Sequence, residues 1–201
     1  MEKPCLTESI LKNTETLDNI AQPLLRWFKS EKRVLPWREE PTPYRVWVSE
    51  IMLQQTRVEA VKPYFERFVA ALPDVRSLAH ANETTLMKLW EGLGYYSRAR
   101  HLQDAARLIC RDYGGNVPAH FDDLLALPGI GRYTAGAVAS IAFGERRPAV
   151  DGNVLRVIMR LLACSADILK ERTKRIVEDA LLARLPENAG DFNQALMELG
   201  A

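Results

Sequence analysis

The sequence predicts an all-α fold, on three observations. Apolar residues recur at steps of three and four, the period of a helix, along most of the chain. No stretch sustains the alternate-residue pattern of a strand. Clusters of proline and glycine separate the apolar stripes and leave mostly short loops. The 201 residues are 47% hydrophobic and 26% charged, an ordinary globular composition. That length suits one good-sized domain or two small lobes sharing a core.

The elements follow in chain order. Residues 1–16 carry no stripe and read as a loose tail. Leu17, Ile20, Ala21, Leu24, Leu25 and Phe28 form the first helical stripe. A loop with Pro36, Pro41 and Pro43 precedes "YRVWVSEIML", a strongly apolar helix. The pattern breaks at "LQQT", where Thr56 and Glu59 have the spacing of a capping box for a helix with Val58, Val61, Phe65, Phe68 and Val69. Gln54 and Gln55 therefore sit at a helix end, with amides free to reach outward. Asn82 caps a short helix bearing Leu86, Leu89 and Trp90, and "EGLGYYSR" is a glycine-flexed turn. Leu102, Ala105, Ala106, Ile109 and Tyr113 line the next helix, which "YGGNVP" ends. A short helix with Leu124, Leu125 and Leu127 leads into Pro-Gly-Ile-Gly. Val154, Val157, Ile158, Leu161 and Leu162 mark a helix after Asp151, and two more follow around 176–185 and 192–199.

Several function classes fall away on composition. No apolar run is long enough to span a membrane, so no membrane partner is expected. The N-terminal segment is polar and acidic, unlike a secretory signal, and a cytoplasmic or otherwise intracellular protein is the expectation. The three cysteines, Cys5, Cys110 and Cys164, are too few and too widely spaced for a disulfide framework or a zinc site. Cys110 and Cys164 read as packed thiols on apolar helix positions. A net charge of +1 neither requires nor excludes a nucleic-acid partner. Arg98, Arg100, Arg107 and Arg111 form a basic cluster, for which a solvated helix face and a nucleic-acid contact weigh about evenly.

The segment "LPGIGRYTAGAVASIAF" carries the strongest chemical signal. A Pro-Gly-x-Gly turn admits positive φ and close approach to another molecule. The first N–H groups of the helix after it have no partner within the helix and make an anion site. The small residues Ala135, Gly136, Ala137, Ala139 and Ser140 let that helix lie tightly against a neighbour. The arrangement looks like a helix-hairpin-helix, a motif that grips a DNA strand by its phosphates without reading sequence. Taken alone, the turn is equally consistent with tight helix packing.

Together with "LPWR", "PYRVWVSEIMLQQT", "WEGLGYYSRAR", "VDGNV" and "FNQALMELGA", this segment resembles the helix-hairpin-helix base-excision DNA glycosylases. Within them it is similar to the adenine branch, the MutY type. The likeness covers nearly everything after residue 16, in the family's order. It implies a six-helix barrel over 35–145, with the helix-hairpin-helix at 121–143. It also implies a second helical lobe from 17–34 and 146–201, and an active site in the cleft between the two.

Two carboxylates suit that chemistry. Glu50 stands among Trp47, Val48, Ile51 and Met52, where desolvation raises a carboxyl pKa and makes a general acid. Asp151 begins a helix, where the cap position and the helix dipole favour the ionised form. A protonated and an ionised carboxyl together can break a glycosidic bond through a cationic sugar. By resemblance, Glu50 protonates adenine at N7, Asp151 stabilises the sugar cation, and Asn153 orients the site. Tyr133 stands where bifunctional relatives carry the lysine that forms a Schiff base, which implies a glycosylase without strand cleavage.

The resemblance also assigns Leu35, Trp37, Arg38 and Gln194 to an adenine pocket. Gln55 and Tyr95 match residues that in the family wedge beside the partner base, Gln54 is assigned to DNA binding with them, and Pro128, Gly129, Ile130, Gly131, Arg132 and Thr134 to the phosphate grip. The implied partner is duplex DNA with adenine mispaired with 8-oxoguanine or guanine, bound by a monomer. The family also holds a [4Fe-4S] cluster on four cysteines, which here would lie beyond Ala201. No metal or cofactor is therefore expected on this stretch, and the final helix is expected to lack the segment it packs against. A DNA-binding module with little catalysis, and an endonuclease III-like glycosylase of other lesion specificity, are the alternatives.

Overall fold

A computed structural model describes Glu8, Ile10 and residues 14–201. Helices account for all of the regular structure among the described residues. They fall into two compact units, one of residues 34–138 and one of residues up to 33 together with 139–201.

The first unit starts with α3 (Pro36–Glu39) and α4 (Pro43–Leu53), numbered after two helices of the other unit. Pro43 sits in the first turn of α4, where its missing N–H costs nothing, and the Thr42 hydroxyl accepts from the Arg45 amide at 3.3 Å. Tyr44 and every residue from Val46 to Met52 are buried. A helix apolar nearly all round must lie inside, and α4 is the spine of this unit.

α5 (Val58–Ala71) returns along it and buries Val61, Phe65 and Phe68. The capping box expected at Thr56 and Glu59 does not form. The cap position is Arg57, without a side-chain bond, and the Thr56 hydroxyl donates to the Gln54 carbonyl at 3.3 Å. The reciprocal box occurs instead at Asp74 and Ser77, opening α6 (Val75–His80). α7 (Glu83–Trp90) is capped by Asn82, as the sequence predicts, with its side-chain oxygen 2.8 Å from the Thr85 amide.

α8 (Ser97–Asp112) packs on α6 through Leu102, Ala105, Ala106 and Ile109. Its buried Gln103 amide donates to the carbonyls of Leu78 and Ala81 at the end of α6, at 3.1 and 2.7 Å. α9 (Phe121–Leu125) and the residues of α10 (Arg132–Phe143) up to Val138 complete the unit. Edge-to-face rings, Trp37 on Phe65 at 5.4 Å and Phe68 on Trp90 at 5.9 Å, fill its centre.

The second unit contains α1 (Thr14–Asn19), α2 (Ala21–Glu31), the end of α10, α11 (Gly152–Leu161), α12 (Glu171–Leu182) and α13 (Ala189–Gly200). The tail expected over 1–16 lies mostly outside the described residues, and its last three belong to α1. The first stripe is thus split between two helices. Its core joins Leu24 and Phe28 to Val154, Ile158, Val177 and Leu196.

α13 is buried against α2 and α11, so the last helix does not lack packing partners. Two glycines set its approach. A Cβ on Gly190 would meet the Ser140 carbonyl oxygen at 2.6 Å, and one on Gly200 the Asn153 oxygen at 2.5 Å. A bidentate pair from Arg33 to Glu198, at 2.5 and 3.1 Å, ties α13 to the end of α2. Cys110 lies half-buried on α8, whereas Cys164 lies just past α11 and not on a helix as expected.

Candidate active site and nucleic-acid interface

Glu50 is 6% exposed on the innermost helix of the first unit, next to the fully enclosed Trp47 and Met52. The Tyr133 hydroxyl donates to its Oε2 at 2.7 Å. One turn further along α4, the Gln54 amide donates to the Thr134 hydroxyl at 3.4 Å. Residues 50 and 54 share one face of α4, so two side-chain bonds stitch that face to the first turn of α10. The expectation of a free, outward-reaching Gln54 amide is corrected by this contact.

The turn before α10 is tight. The Ile130 amide donates to the Leu127 carbonyl at 3.2 Å, and Gly129 takes φ +74°. A Cβ on Gly129 would stand 2.6 Å from that of His101. Gly131 differs: its φ is not in the left-handed region, and no atom lies within 4 Å of where its Cβ would be. Ile130 and Thr134 are buried. Arg132 lies with its guanidinium 5.4 Å from the Phe121 ring. A cavity of about 30 Å³ beside the hairpin, lined by Ile51, Gln54, Arg98, His101, Pro128 and Gly129 among others, is of the size of a water rather than a base.

Gln55 and Tyr95 stand exposed on two turns, with φ +57° and +48°. Arg98, 9% exposed, supports both turns. Its Nη1 meets the carbonyls of Ile51, Met52 and Gln54 at 2.6–3.0 Å. Its Nη2 meets those of Leu93 and Gly94 at 3.1 and 3.2 Å. Burial lowers its pKa, but a guanidinium starts high enough to stay charged.

The basic cluster is thereby taken apart. Arg98 is internal, while Arg100, Arg107 and Arg111 pair with Glu83, Asp104 and Asp112. Leu35 and Trp37 are buried and Arg38 is half-buried around α3. Trp37 has its ring on Phe65, as part of the core.

The remaining candidates belong to the second unit. Asp151 caps α11 as the sequence predicts, with Oδ1 accepting from the Val154 amide at 2.8 Å. Its Oδ2 accepts from the Asn153 side chain at 2.7 Å. Arg156 donates to the Asn153 side-chain oxygen and, at 2.7 Å, to the Gly200 carbonyl. Gln194 is half-buried on α13. Beside it Asn193, 1% exposed, accepts from the Ala149 amide at 3.2 Å and donates to the Arg147 carbonyl and the Ser140 hydroxyl at 2.8 Å each. The segment leading to Asp151 is thus pinned to α13.

Asn193 is absent from the candidates read in the sequence, and Arg98 figures there only as one member of a basic cluster. Arg98 had a signal: it lies four residues before Leu102 on the apolar stripe of α8, where a charge must be buried and paired. Asn193 had none, because its three partners are distant in sequence. No group of three or more His, Cys, Asp or Glu side chains stands ready to hold a metal ion among the described residues.

The model of the HhH-GPD superfamily of base excision DNA repair proteins matches residues 48–182. Among curated proteins, the chain is similar to the adenine DNA glycosylase of Mus musculus, 47% identical over 192 residues that cover 89% of this chain and 36% of that protein. The adenine DNA glycosylase of Homo sapiens is 46% identical, with 89% and 34% covered. That of Buchnera aphidicola from Acyrthosiphon pisum is 38% identical, with 90% and 52% covered. The chain spans about a third to a half of the length of these relatives. Among solved structures, a thermostable thymine-DNA glycosylase superposes with TM-score 0.80 at 27% identity, over 94% of this chain and 87% of that one. A trapped endonuclease III–DNA covalent intermediate shares the fold, with TM-score 0.73 at 24% identity, over 93% and 84%.

Proposed function

The chain belongs to the HhH-GPD superfamily of base excision DNA repair proteins, and on that premise we propose that it hydrolyses the N-glycosidic bond of adenine mispaired with 8-oxoguanine or guanine in duplex DNA. The observation that carries the reading is Glu50: a buried carboxyl in an apolar helix, held by the Tyr133 hydroxyl. The similarity to adenine DNA glycosylases supports adenine as the base.

In the proposed reaction Glu50 is the general acid. The Glu50 carboxyl, held through Oε2 by the Tyr133 hydroxyl, carries the transferable proton. That proton passes to N7 of adenine. The bond from the sugar to N9 then breaks with both electrons going to the base, which leaves as neutral adenine. The sugar cation is stabilised by ionised Asp151, whose Oδ2 is oriented by Asn153. Water adds to the sugar and returns a proton to the Glu50 carboxylate. Tyr133 lacks the amine needed for a Schiff base, so the strand is not cut. Backbone N–H groups at the start of α10, after Gly129 and Gly131, grip phosphate, and Gln55 and Tyr95 wedge beside the partner base. Leu35, Trp37, Arg38 and Gln194 border the extruded adenine. The protein acts as a monomer, inside the cell where its DNA lies.

The residues described do not fit an iron–sulfur cluster. Cys110 and Cys164 are single half-buried thiols in separate units, and no step of the reaction is assigned to such a group.

The test is single-turnover adenine release from a duplex with adenine opposite 8-oxoguanine, read as alkali-labile sites. Glu50→Gln is expected to abolish release while duplex binding survives. Release by the mutant at the parent rate would show that Glu50 is not the acid. Binding without any release by the parent would favour a DNA-binding module, and strand cuts without alkali a glycosylase with lyase activity.

A further inference from the structure

Gln55 and Tyr95 lie in sequence on two unrelated loops, yet they share one support. Among the described residues of the first unit they are the non-glycine residues with left-handed φ. Each directly follows a carbonyl held by Arg98, that of Gln54 at 2.6 Å and that of Gly94 at 3.2 Å. A peptide unit is planar, so fixing the carbonyl of one residue fixes the N–H of the next and with it the direction in which that residue leaves the turn. One guanidinium thus sets the left-handed entry of both exposed side chains.

Its other contacts make the setting rigid. Nη1 also takes the last carbonyls of α4, from Ile51 and Met52, which have no acceptor role within the helix and favour a cation. The guanidinium lies 5.5 Å from the ring of Trp90, whose indole N–H itself donates to the Gly94 carbonyl at 3.2 Å. Tyr95 is 62% exposed, yet its ring lies 5.6 Å from the same guanidinium. Only a flat, forked cation can serve carbonyls from two loops at once, and a lysine ammonium is a point donor.

We propose that Arg98 is the positioning residue for base extrusion: it holds Gln55 and Tyr95 in register with each other, so that both enter the duplex beside the partner base of the mispaired adenine. The proposal rests on the function given above. It explains why a charged side chain is buried here without a carboxylate partner among the described residues, since its acceptors are mainly the backbone of the two turns.

The experiment uses Arg98→Lys in the full chain. Adenine release is measured in single turnover. Unstacking is measured as the fluorescence gain of 2-aminopurine placed next to the mispaired adenine, with Glu50→Gln in both proteins so that the duplex is not consumed. Arg98→Lys is expected to slow release roughly 10- to 100-fold, the scale set by misplacement of about 1 Å. The fluorescence gain falls while duplex affinity, carried by phosphate contacts, is little changed. Amide hydrogen exchange accelerates at Gln55 and Tyr95 and not across the unit, which a merely structural role would not produce. Should Arg98→Lys not fold, Thr56→Val removes one acceptor of Nη2, at 3.4 Å, and is expected to move the same readouts less far. A folded Arg98→Lys protein with the parent's fluorescence gain and release rate would overturn the role of Arg98 and leave the function standing. A parent that binds mispaired duplex without any fluorescence gain would overturn the function and this role together.

Discussion

The two glycines of the hairpin are expected to fail in different ways when replaced by alanine. At Gly129 the backbone is left-handed, φ +74°, and an added Cβ would lie 2.6 Å from the Cβ of His101. A left-handed alanine costs about 1–2 kcal/mol. The contact is roughly 1 Å shorter than ordinary carbon–carbon separation, and relieving such overpacking costs about 1–3 kcal/mol. A sum near 3 kcal/mol lowers the Tm of a chain of this size by about 6–12 °C. At Gly131 φ is not left-handed and the added methyl meets nothing within 4 Å, so stability should change by less than about 0.5 kcal/mol. If phosphate approaches the start of α10, that methyl stands in its way, and Gly131→Ala should weaken duplex binding at unchanged Tm. Thermal denaturation and duplex titration of both variants are the assays. Equal losses of Tm, or a Gly131→Ala protein that binds duplex like the parent, would refute the idea that one glycine serves the fold and the other the ligand.

Other perturbations have equally direct outcomes. Tyr133→Phe removes the donor to Glu50 Oε2 and should slow single-turnover release by about 10- to 100-fold with duplex affinity retained. Asn193→Ala strands the Ala149 amide, the Arg147 carbonyl and the Ser140 hydroxyl in a buried site, a loss of about 2–4 kcal/mol visible in chemical denaturation. Tyr44 is buried with its hydroxyl donating to the Leu72 carbonyl at 2.7 Å, and burial pushes its pKa far above that of a free phenol. The folded state therefore holds a proton that the unfolded chain releases near pH 10. Its stabilising effect is complete below about pH 10 and is lost progressively above it, so denaturation midpoints should fall there, and Tyr44→Phe should flatten that dependence.

The features legible in the sequence are those with local causes. Asp151 as a cap, Asn82 as a cap and Gln54 at a helix end each depend on a few neighbouring residues, and each stands where its local pattern puts it. Burial of Glu50 was legible because it sits in a helix apolar on every side. The failures are of another kind. Thr56 had the spacing of a capping box, but its hydroxyl turns to the Gln54 carbonyl, in the turn whose backbone Arg98 holds from 42–44 residues away. In the sequence Arg98 falls into one cluster with three arginines that prove exposed, because composition does not separate a side chain facing solvent from one facing backbone. Asn193 binds partners 44–53 residues away, beyond the reach of any spacing rule.

The contacts around Glu50 also join the hairpin to the proposed acid. Tyr133 follows the hairpin by two residues past Gly131, and Thr134 is the next residue; both bond to the face of α4 that carries Glu50 and Gln54. A phosphate drawn to the first N–H groups of α10 would press on the same turn that orients the Glu50 carboxyl. Binding energy gained far from the reacting bond can then act on the geometry of the acid, which is how interactions remote from the chemistry raise a rate rather than affinity alone. The long 3.4 Å bond between Gln54 and Thr134 is the weak seam in this arrangement. Gln54→Ala should therefore leave affinity for duplex nearly intact while slowing adenine release in single turnover. Equal loss of both would mean that grip and acid are independent.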